Sequence, residues 1–502
     1  MDKLCKVRVL LIYPEFPDTF WSFKYALKFI RRKASSPPLG LLTVAAMLPG
    51  EWEKRLVDMN VVALRDETLK WADLVFISAM SVQEKSVREV MARCKAEGVP
   101  IVAGGPLFTA GYDAFDDIDH LVLNEAEITL PLFLEDLKRG NAGRIYTTDQ
   151  WADIRETPVP LWELINIKHY ASINIQYSRG CPYNCEFCDI TLLCGHMPRT
   201  KEREQVIREI ESVDASGFRG SIFFVDDNFI GNKKKLKDEI LPDIIRWMER
   251  RRYPFTFNTQ ASIELADHQD LLQLMVKAGF DVVFIGIETP NEQSLAECSK
   301  FQNRGRDLIA SVKIIQKAGL EVQGGFIVGF DSDPVTIFDT QIKFIQASGV
   351  VTAMVGLLTA LPRTQLYERL KKEHRLLKEA SGNNTDLAIN FIPRMDYDQL
   401  IAGYKKVLST LYSPRIYYAR IRTFLKAYIP PPKKKKIFRI RLNYIAAFFR
   451  STVVLGLVGK ERFQYWRLLF WTTFRHPRLL SQAVTLSIYG FHFRKVFEKN
   501  RT

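Results

Sequence analysis

Ser178-Arg179-Gly180-Cys181-Pro182-Tyr183-Asn184-Cys185-Glu186-Phe187-Cys188 is the stretch on which the reading of this 502-residue chain turns. Three thiols fall within eight positions, at C-x3-C-x2-C spacing. Three thiolates this close can ligate three corners of one iron–sulfur cluster. Clusters held by protein alone take four cysteines, so three leave one iron open for a further ligand. The run follows a candidate strand, Ile173–Tyr177, and the turn Ser178-Arg179-Gly180. That order predicts a metal-binding loop at the C-terminal end of a strand. A structural zinc site is the other reading of clustered cysteines. Zinc takes four ligands, usually in paired C-x2-C groups, and Cys194 or His196 would have to complete it.

Outward from this loop the chain alternates strand and helix in both directions. Downstream, Ser221–Val225, Thr256–Thr259, Val282–Ile287, Val322–Val328 and Val351–Leu358 join Ile173–Tyr177 as candidate strands. Helical stretches lie between them. Six βα units predict a complete or partial α/β barrel over residues 171–365, with its chemistry at the strand C-terminal ends. Upstream, Val7–Tyr13 is an apolar run, as a buried parallel strand should be, and Arg55–Asp58, Leu74–Ser78, Pro100–Ala103 and Leu121–Leu123 are further short strands. Helices are expected from Pro37-Pro38 to Leu48, from the capping-box pattern Ser81-Val82-Gln83-Glu84 to Gly98, and after Glu127 to Gly140. The fold class is therefore α/β: a doubly wound parallel sheet over residues 1–140, a connector over 141–170, the barrel, and an α-helical C-terminal region. That last region divides into a helical extension, 366–430, and a basic aromatic tail, 431–502, broken by Pro430-Pro431-Pro432 and Lys433–Lys436.

Composition narrows the class further. Hydrophobic residues make up 47% and charged residues 25%, ordinary globular material. No apolar run reaches the ~18–20 residues of a membrane span, and Met1-Asp2-Lys3-Leu4-Cys5-Lys6 has no secretory pattern. The expectation is a cytoplasmic enzyme. Seven cysteines, three of them in one run, are not a disulfide framework. The net charge of +14 is concentrated at one end: Leu411–Thr502 holds 20 Lys and Arg against 2 Asp and Glu. The catalytic body is slightly acidic, so no nucleic-acid partner is expected. A basic tail carrying Phe448, Phe449, Tyr465, Trp466, Phe470 and Trp471 reads either as a peripheral contact with the inner membrane surface or as a basic face packed on the barrel by its aromatic side.

The cysteine run, with aromatic Phe187 before the last cysteine, resembles the radical S-adenosylmethionine (SAM) superfamily signature. The resemblance implies a [4Fe–4S] cluster on Cys181, Cys185 and Cys188 whose open iron chelates SAM, and a 5′-deoxyadenosyl radical formed by reductive cleavage. It implies an electron donor of flavodoxin or ferredoxin type. Contacts to SAM are expected from Phe187, from Asp226 or Asp227 at the second strand end, from Gln260 and Ser262 at the third, and from Glu288 at the fourth. The family's Gly-Gly-Glu-like segment is absent at Phe224-Val225-Asp226-Asp227-Asn228-Phe229.

Several upstream phrases resemble the cobalamin (B12)-binding domain of B12-dependent radical SAM enzymes. They are Pro37-Pro38-Leu39-Gly40-Leu41-Leu42, Asp58-Met59-Asn60, Ile77-Ser78-Ala79-Met80, Ala103-Gly104-Gly105-Pro106 and Asn124-Glu125-Ala126-Glu127. On this resemblance Asn60, Ser78, Gly104, Gly105 and Glu125 are the candidate cobalamin contacts. The Asp-x-His-x-x-Gly motif that supplies a histidine to cobalt in other cobalamin domains is missing. With its helical C-terminal extension the chain is similar to the subgroup of hopanoid and bacteriochlorophyll side-chain methylases. The implied activity is C-methylation of an unactivated carbon in a hydrophobic small-molecule substrate, lipid or tetrapyrrole-like. The alternative is oxidative cyclisation or rearrangement without net methylation. Methylthiotransferases carry a second set of cluster cysteines upstream, where this chain has only Cys5 and Cys94. An electron carrier would need neither an open iron nor a barrel.

Overall fold

A computed structural model describes residues 7–377, 382–383, 387, 389–431 and 442–499. Cys5 and the Lys433–Lys436 run lie outside the described residues.

The N-terminal sheet contains β1 (Arg8–Tyr13), β2 (Glu53–Asp58), β3 (Leu74–Ser78), β4 (Ile101–Gly104), β5 (His120–Val122) and β6 (Ile145–Tyr146). Their order is β2-β1-β3-β4-β5-β6, and every pairing is parallel. Val9, Leu10, Leu11 and Ile12 are fully buried because helices cover both faces of the sheet. The chain switches direction of winding between β1 and β3, where an open α/β sheet leaves a crevice at its C-terminal edge. The helix Glu84–Glu97 is opened by Gln83, whose side chain accepts from the Met80 N–H at 2.9 Å, one residue earlier than the Ser81–Glu84 pairing expected. β6 comes from the stretch expected to be a connector, which is thereby tied into the first sheet.

The second sheet contains β7 (Ser172–Ile175), β10 (Ser221–Phe224), β11 (Thr256–Gln260), β12 (Phe280–Glu288), β13 (Glu321–Val328) and β14 (Ala353–Leu357). It runs β14-β13-β12-β11-β10-β7, all parallel and in sequential order. β7 and β14 do not pair, so the barrel is partial. Between β7 and β10 lies a small antiparallel pair, β8 (Ser178–Arg179) with β9 (Arg199–Thr200).

Alternation along these strands makes two different faces. Ile173, Ile175, Ile222, Phe224 and Phe257 are sealed under helices. Their neighbours Ser172, Asn174, Ser221, Phe223, Asn258 and Gln260 are only half-buried. The concave face is therefore an open, partly polar lumen. Its near side is closed from the N-terminal segment: Trp21 packs edge-on against Phe284 at 5.4 Å, and Pro37 O accepts from Asn174 Nδ2 at 3.4 Å.

After β14 the chain is helical. Tyr397–Leu411 and Pro414–Ala427 pack on the barrel, and Leu480–Lys499 returns to the N-terminal segment, where Phe493 stacks on Phe20 at 4.0 Å. Among the described residues no helix is long and apolar enough to cross a membrane.

Candidate functional site

The C-terminal ends of the two sheets meet, and the cysteine loop sits at the junction. Gly180 opens the loop at φ 98°, and a Cβ there would stand 2.7 Å from Met197 O and 3.0 Å from the carbonyls of Cys194 and Gly195. Only glycine fits that approach. The Cys181 N–H donates to Gly195 O (3.2 Å), Glu186 N–H to Cys298 O (3.0 Å), and Leu366 N–H to Glu186 O (2.9 Å). Glu186 is gripped by Arg369, Nε to Oε1 at 2.5 Å and Nη2 to Oε2 at 3.1 Å, so the helical extension fastens the loop from outside.

Cys181, Cys185 and Cys188 are half-buried free thiols close enough to influence one another electrostatically. Burial pushes the Cys188 thiol up to about 12, so a thiolate there needs a cation or metal to hold it. Among the described residues no three His, Cys, Asp or Glu side chains converge on one metal ion. The donor set fits a larger group instead, with each soft thiolate meeting a different iron. Cys194 and Cys298 are not part of the loop. Burial pushes both thiols up, and Cys298 donates weakly to Leu295 O at 3.8 Å.

Around the thiols the structure gathers several of the expected SAM contacts. Glu288 ends β12 at φ 63°, and its Oε1 accepts from Lys300 Nζ at 2.8 Å. Burial opposes the charge on Lys300, but Glu288 and Cys185 outweigh it and raise its pKa. Gln302 Nε2 lies 3.9 Å from the Cys185 sulfur, and its Oε1 is buried with no partner among the described residues. Ser262 receives Tyr183 Oη at 3.5 Å, and Tyr183 also donates to Glu264 at 2.5 Å. Gln260 reaches the lumen at the end of β11. Phe187 packs toward Phe330, with ring centroids 6.3 Å apart.

The two aspartates separate. Asp227 accepts from the Gly180 N–H at 3.1 Å, at the root of the loop. Asp226 is fully buried beneath it and accepts from the N–H groups of Tyr177 and Ser178 and from Ser178 Oγ. It pins the β7–β8 turn and does not face the lumen. Asp333, also buried, closes its own loop by accepting from the Gly329 and Phe330 N–H groups at 2.8 and 3.1 Å.

The expected cobalamin contacts mostly serve the protein itself. Asn60 Oδ1 accepts from Phe16 N–H at 2.8 Å, and its Nδ2 donates to Asp58 at 2.8 Å. A Cβ on Gly104 would meet Val122 O at 2.6 Å, and one on Gly105 would meet Ser78 Oγ at 2.5 Å. Both glycines are thus required where neighbouring strand ends approach closely. Glu125 is buried and bound on every side. It accepts from Arg199 by a two-pronged contact at 2.7 Å, from Arg179 at 3.3 Å and from Ala152 N–H at 2.6 Å.

That last network was missing from the sequence reading. Arg179 also forks onto Glu127, Nη2 to Oε1 at 2.7 Å and Nη1 to Oε2 at 3.0 Å. Burial works to raise the Glu127 carboxyl, but Arg179 prevails and holds it at about 2. Two acids from the end of the first sheet thus grip two arginines of the β8–β9 pair, one of which, Arg179, stands two residues ahead of Cys181. The phrase Asn124-Glu125-Ala126-Glu127 was legible as a motif. Its partners, 52 and more residues away, were not. Lys300 and Gln302 escaped notice for the same reason: they follow β12 by a short helix and return to the loop only in space.

Comparison with known proteins agrees with this architecture. The Radical SAM superfamily profile matches residues 175–339, the B12 binding domain profile residues 29–134, and a domain of unknown function (DUF4070) residues 364–502. An uncharacterized methyltransferase of Synechocystis sp. is 42% identical over 97% of this chain and 91% of its own length. The hopanoid C-2 methylase of Rhodopseudomonas palustris is 32% identical over 92% of this chain and 88% of its own. In fold, the chain is similar to the radical SAM methyltransferase TsrM from Kitasatospora setae, solved with cobalamin and a [4Fe–4S] cluster, at a TM-score of 0.62. That match is 13% identical and covers 99% of each chain.

Proposed function

Since this chain belongs to the B12-binding radical SAM enzymes, we propose that it is a C-methyltransferase acting on an unactivated carbon of a hydrophobic substrate, in the polycyclic-lipid or tetrapyrrole class. One observation carries the reading: the C-terminal edges of a B12-type sheet and a radical SAM barrel are locked face to face by Arg179 and Arg199 on Glu125 and Glu127. When bound, the [4Fe–4S] cluster and SAM supply a hydrogen-abstracting radical, and cobalamin carries the methyl group.

The chain's own residues do the rest. Cys181, Cys185 and Cys188 hold the cluster and leave one corner free. Asp227, Gln260, Ser262 and Glu288 line the SAM site, and Phe187 seals its edge. Lys300, paired with Glu288, places a buried cation where it favours the thiolate forms of Cys181 and Cys188. Ser78, Gly104 and Gly105 shape the cobalamin face. Asn60, Glu125 and Asp226 are positioning residues, because each is satisfied by protein groups. The half-buried lumen, closed on its near side where Trp21 packs on Phe284, receives the substrate.

The working units of this reading are residues 1–140 for cobalamin, 171–365 for SAM, and 366–502 for the substrate side. An electron enters from a flavodoxin- or ferredoxin-type donor. A substrate of this class resides in membranes, so contact with a membrane surface through the C-terminal region belongs to the same reading.

The test uses reduced, cobalamin-loaded enzyme, methyl-deuterated SAM, and lipid and pigment extracts of a host lacking the gene. Methylation gives a product heavier by one labelled methyl in place of hydrogen. An oxidative cyclase or rearrangement enzyme gives a product with lost or redistributed hydrogens and no label.

A further inference from the structure

The C-terminal region does more than cover the barrel. The helix Leu442–Ser451 continues into a π-helical turn, Thr452–Val458, and the helix Arg462–Arg475 doubles back beside it. Both rest on Leu480–Lys499. Their inner sides are core: Ser451, Leu455, Tyr465, Leu468 and Thr472 are buried. Their outer sides are apolar too. Ile445, Phe449, Val453 and Leu457, four residues apart, form a solvent-facing stripe on the first. Phe463, Phe470 and Phe474 form another on the second, with Phe474 81% and Phe463 74% exposed. Apolar stripes exposed to this degree on a helix mark a partner.

Charge identifies the partner. Residues 442–499 carry nine Lys and Arg and two acids, Glu461 and Glu498. Glu461 is buried against Arg494, and Glu498 is taken up by Lys460 and Lys495. Lys460, Arg462, Arg467 and Arg475 are exposed around or between the stripes. Aromatic side chains interleaved with cations, on helices that rest on the same C-terminal helix, suit the interface of an anionic bilayer. The π-helical turn also walls, through Val454 and Val458, a cavity of about 530 Å³ lined by Tyr412, Phe491 and Phe497, beside the exposed stripe.

We infer that this helical pair is a docking face for an anionic lipid bilayer, through which the enzyme sits on the membrane holding its substrate. The inference rests on the proposed function for its purpose but not for its test. Reconstituted full-length holoenzyme is sedimented with vesicles of phosphatidylcholine, with or without phosphatidylglycerol, at low and high salt. The expected result is sedimentation with the anionic vesicles at low salt and partial release by salt. The triple variant F449S/F463S/F474S is expected to lose most of the bound fraction, and K460E/R475E to lose the preference for anionic lipid. Both should keep the far-ultraviolet dichroism and cluster absorbance of the parent. Wild type remaining in the supernatant, or sedimentation unchanged in the triple variant, overturns the inference. So does a concentration-dependent dimer that the same triple variant dissociates, since the occupant is then a second copy. SAM cleavage without vesicles reports on the enzymatic reading separately, so either can fail alone.

Discussion

Arg179 and Glu127 form a two-pronged ion pair, 2.7 and 3.0 Å long, between the end of the radical SAM barrel's first strand and the end of the cobalamin sheet. Both side chains are buried, 14% and 8% exposed. Removing one partner of such a pair strands the other charge and costs roughly 3–5 kcal/mol. Glu127→Gln should therefore destabilise the protein by several kcal/mol in urea unfolding. If the pair also sets the geometry between the two cofactors, Arg179→Lys should keep the cluster and 5′-deoxyadenosine formation while lowering methylated product per SAM cleaved. An unchanged product ratio in a folded Arg179→Lys variant would reduce the pair to a purely structural one.

Gly105 offers a cleaner steric test. Its backbone, at φ 88° and ψ −177°, is open essentially to glycine alone, and a Cβ would press on Ser78 Oγ. Gly105→Ala should cost on the order of 1–3 kcal/mol from the backbone and weaken hydroxocobalamin uptake in spectral titration. Adding Ser78→Ala should recover the part due to the clash and not the backbone part. No recovery at all would mean that the 2.5 Å approach does not matter.

His492 is buried, with Nε2 3.0 Å from Phe20 O and its ring stacked on Phe23. Burial pulls its pKa down to about 4 from the ordinary 6.5. As pH falls from 6.5 toward 4, the unfolded chain takes up a proton that the folded chain refuses, so stability is lost toward acid. Unfolding midpoints at pH 7.5 and 5.5 should differ more for wild type than for His492→Gln. The excess should be on the order of 1 kcal/mol for one histidine with this shift. Equal pH dependence would place the acid sensitivity elsewhere.

Much of this was legible in the sequence, and the rest was not for identifiable reasons. A parallel strand such as Val9–Ile12 announces itself as a short apolar run because both sheet faces are covered. The cysteine run is local chemistry and reads at sight. Residue roles at strand ends do not. Asp226 and Asp227 are neighbours in sequence, but strand alternation sends one under the turn and the other to the loop. The close approach of Gly104 to Val122 O and of Gly105 to Ser78 Oγ is a contact across strands that the local sequence does not display. Glu125 was read as a ligand contact because Arg179 and Arg199, which claim it, lie more than fifty residues on. The β6 strand was hidden by its length, Ile145–Tyr146. Within the tail Tyr465 is core, while Phe449, Phe463 and Phe474 are exposed, a division that needs the packed structure to see.

Anaerobic reconstitution, followed by reduction and incubation with SAM, tests the central claim most directly. Wild type should bind about four irons, as one [4Fe–4S] cluster requires, and release 5′-deoxyadenosine. Cys181→Ala, Cys185→Ala and Cys188→Ala should each abolish both, while Cys94→Ala and Cys298→Ala should keep them. A cluster of full iron content in the triple Cys181/Cys185/Cys188→Ala variant, or a loaded wild-type cluster that releases no 5′-deoxyadenosine from SAM, would contradict the account.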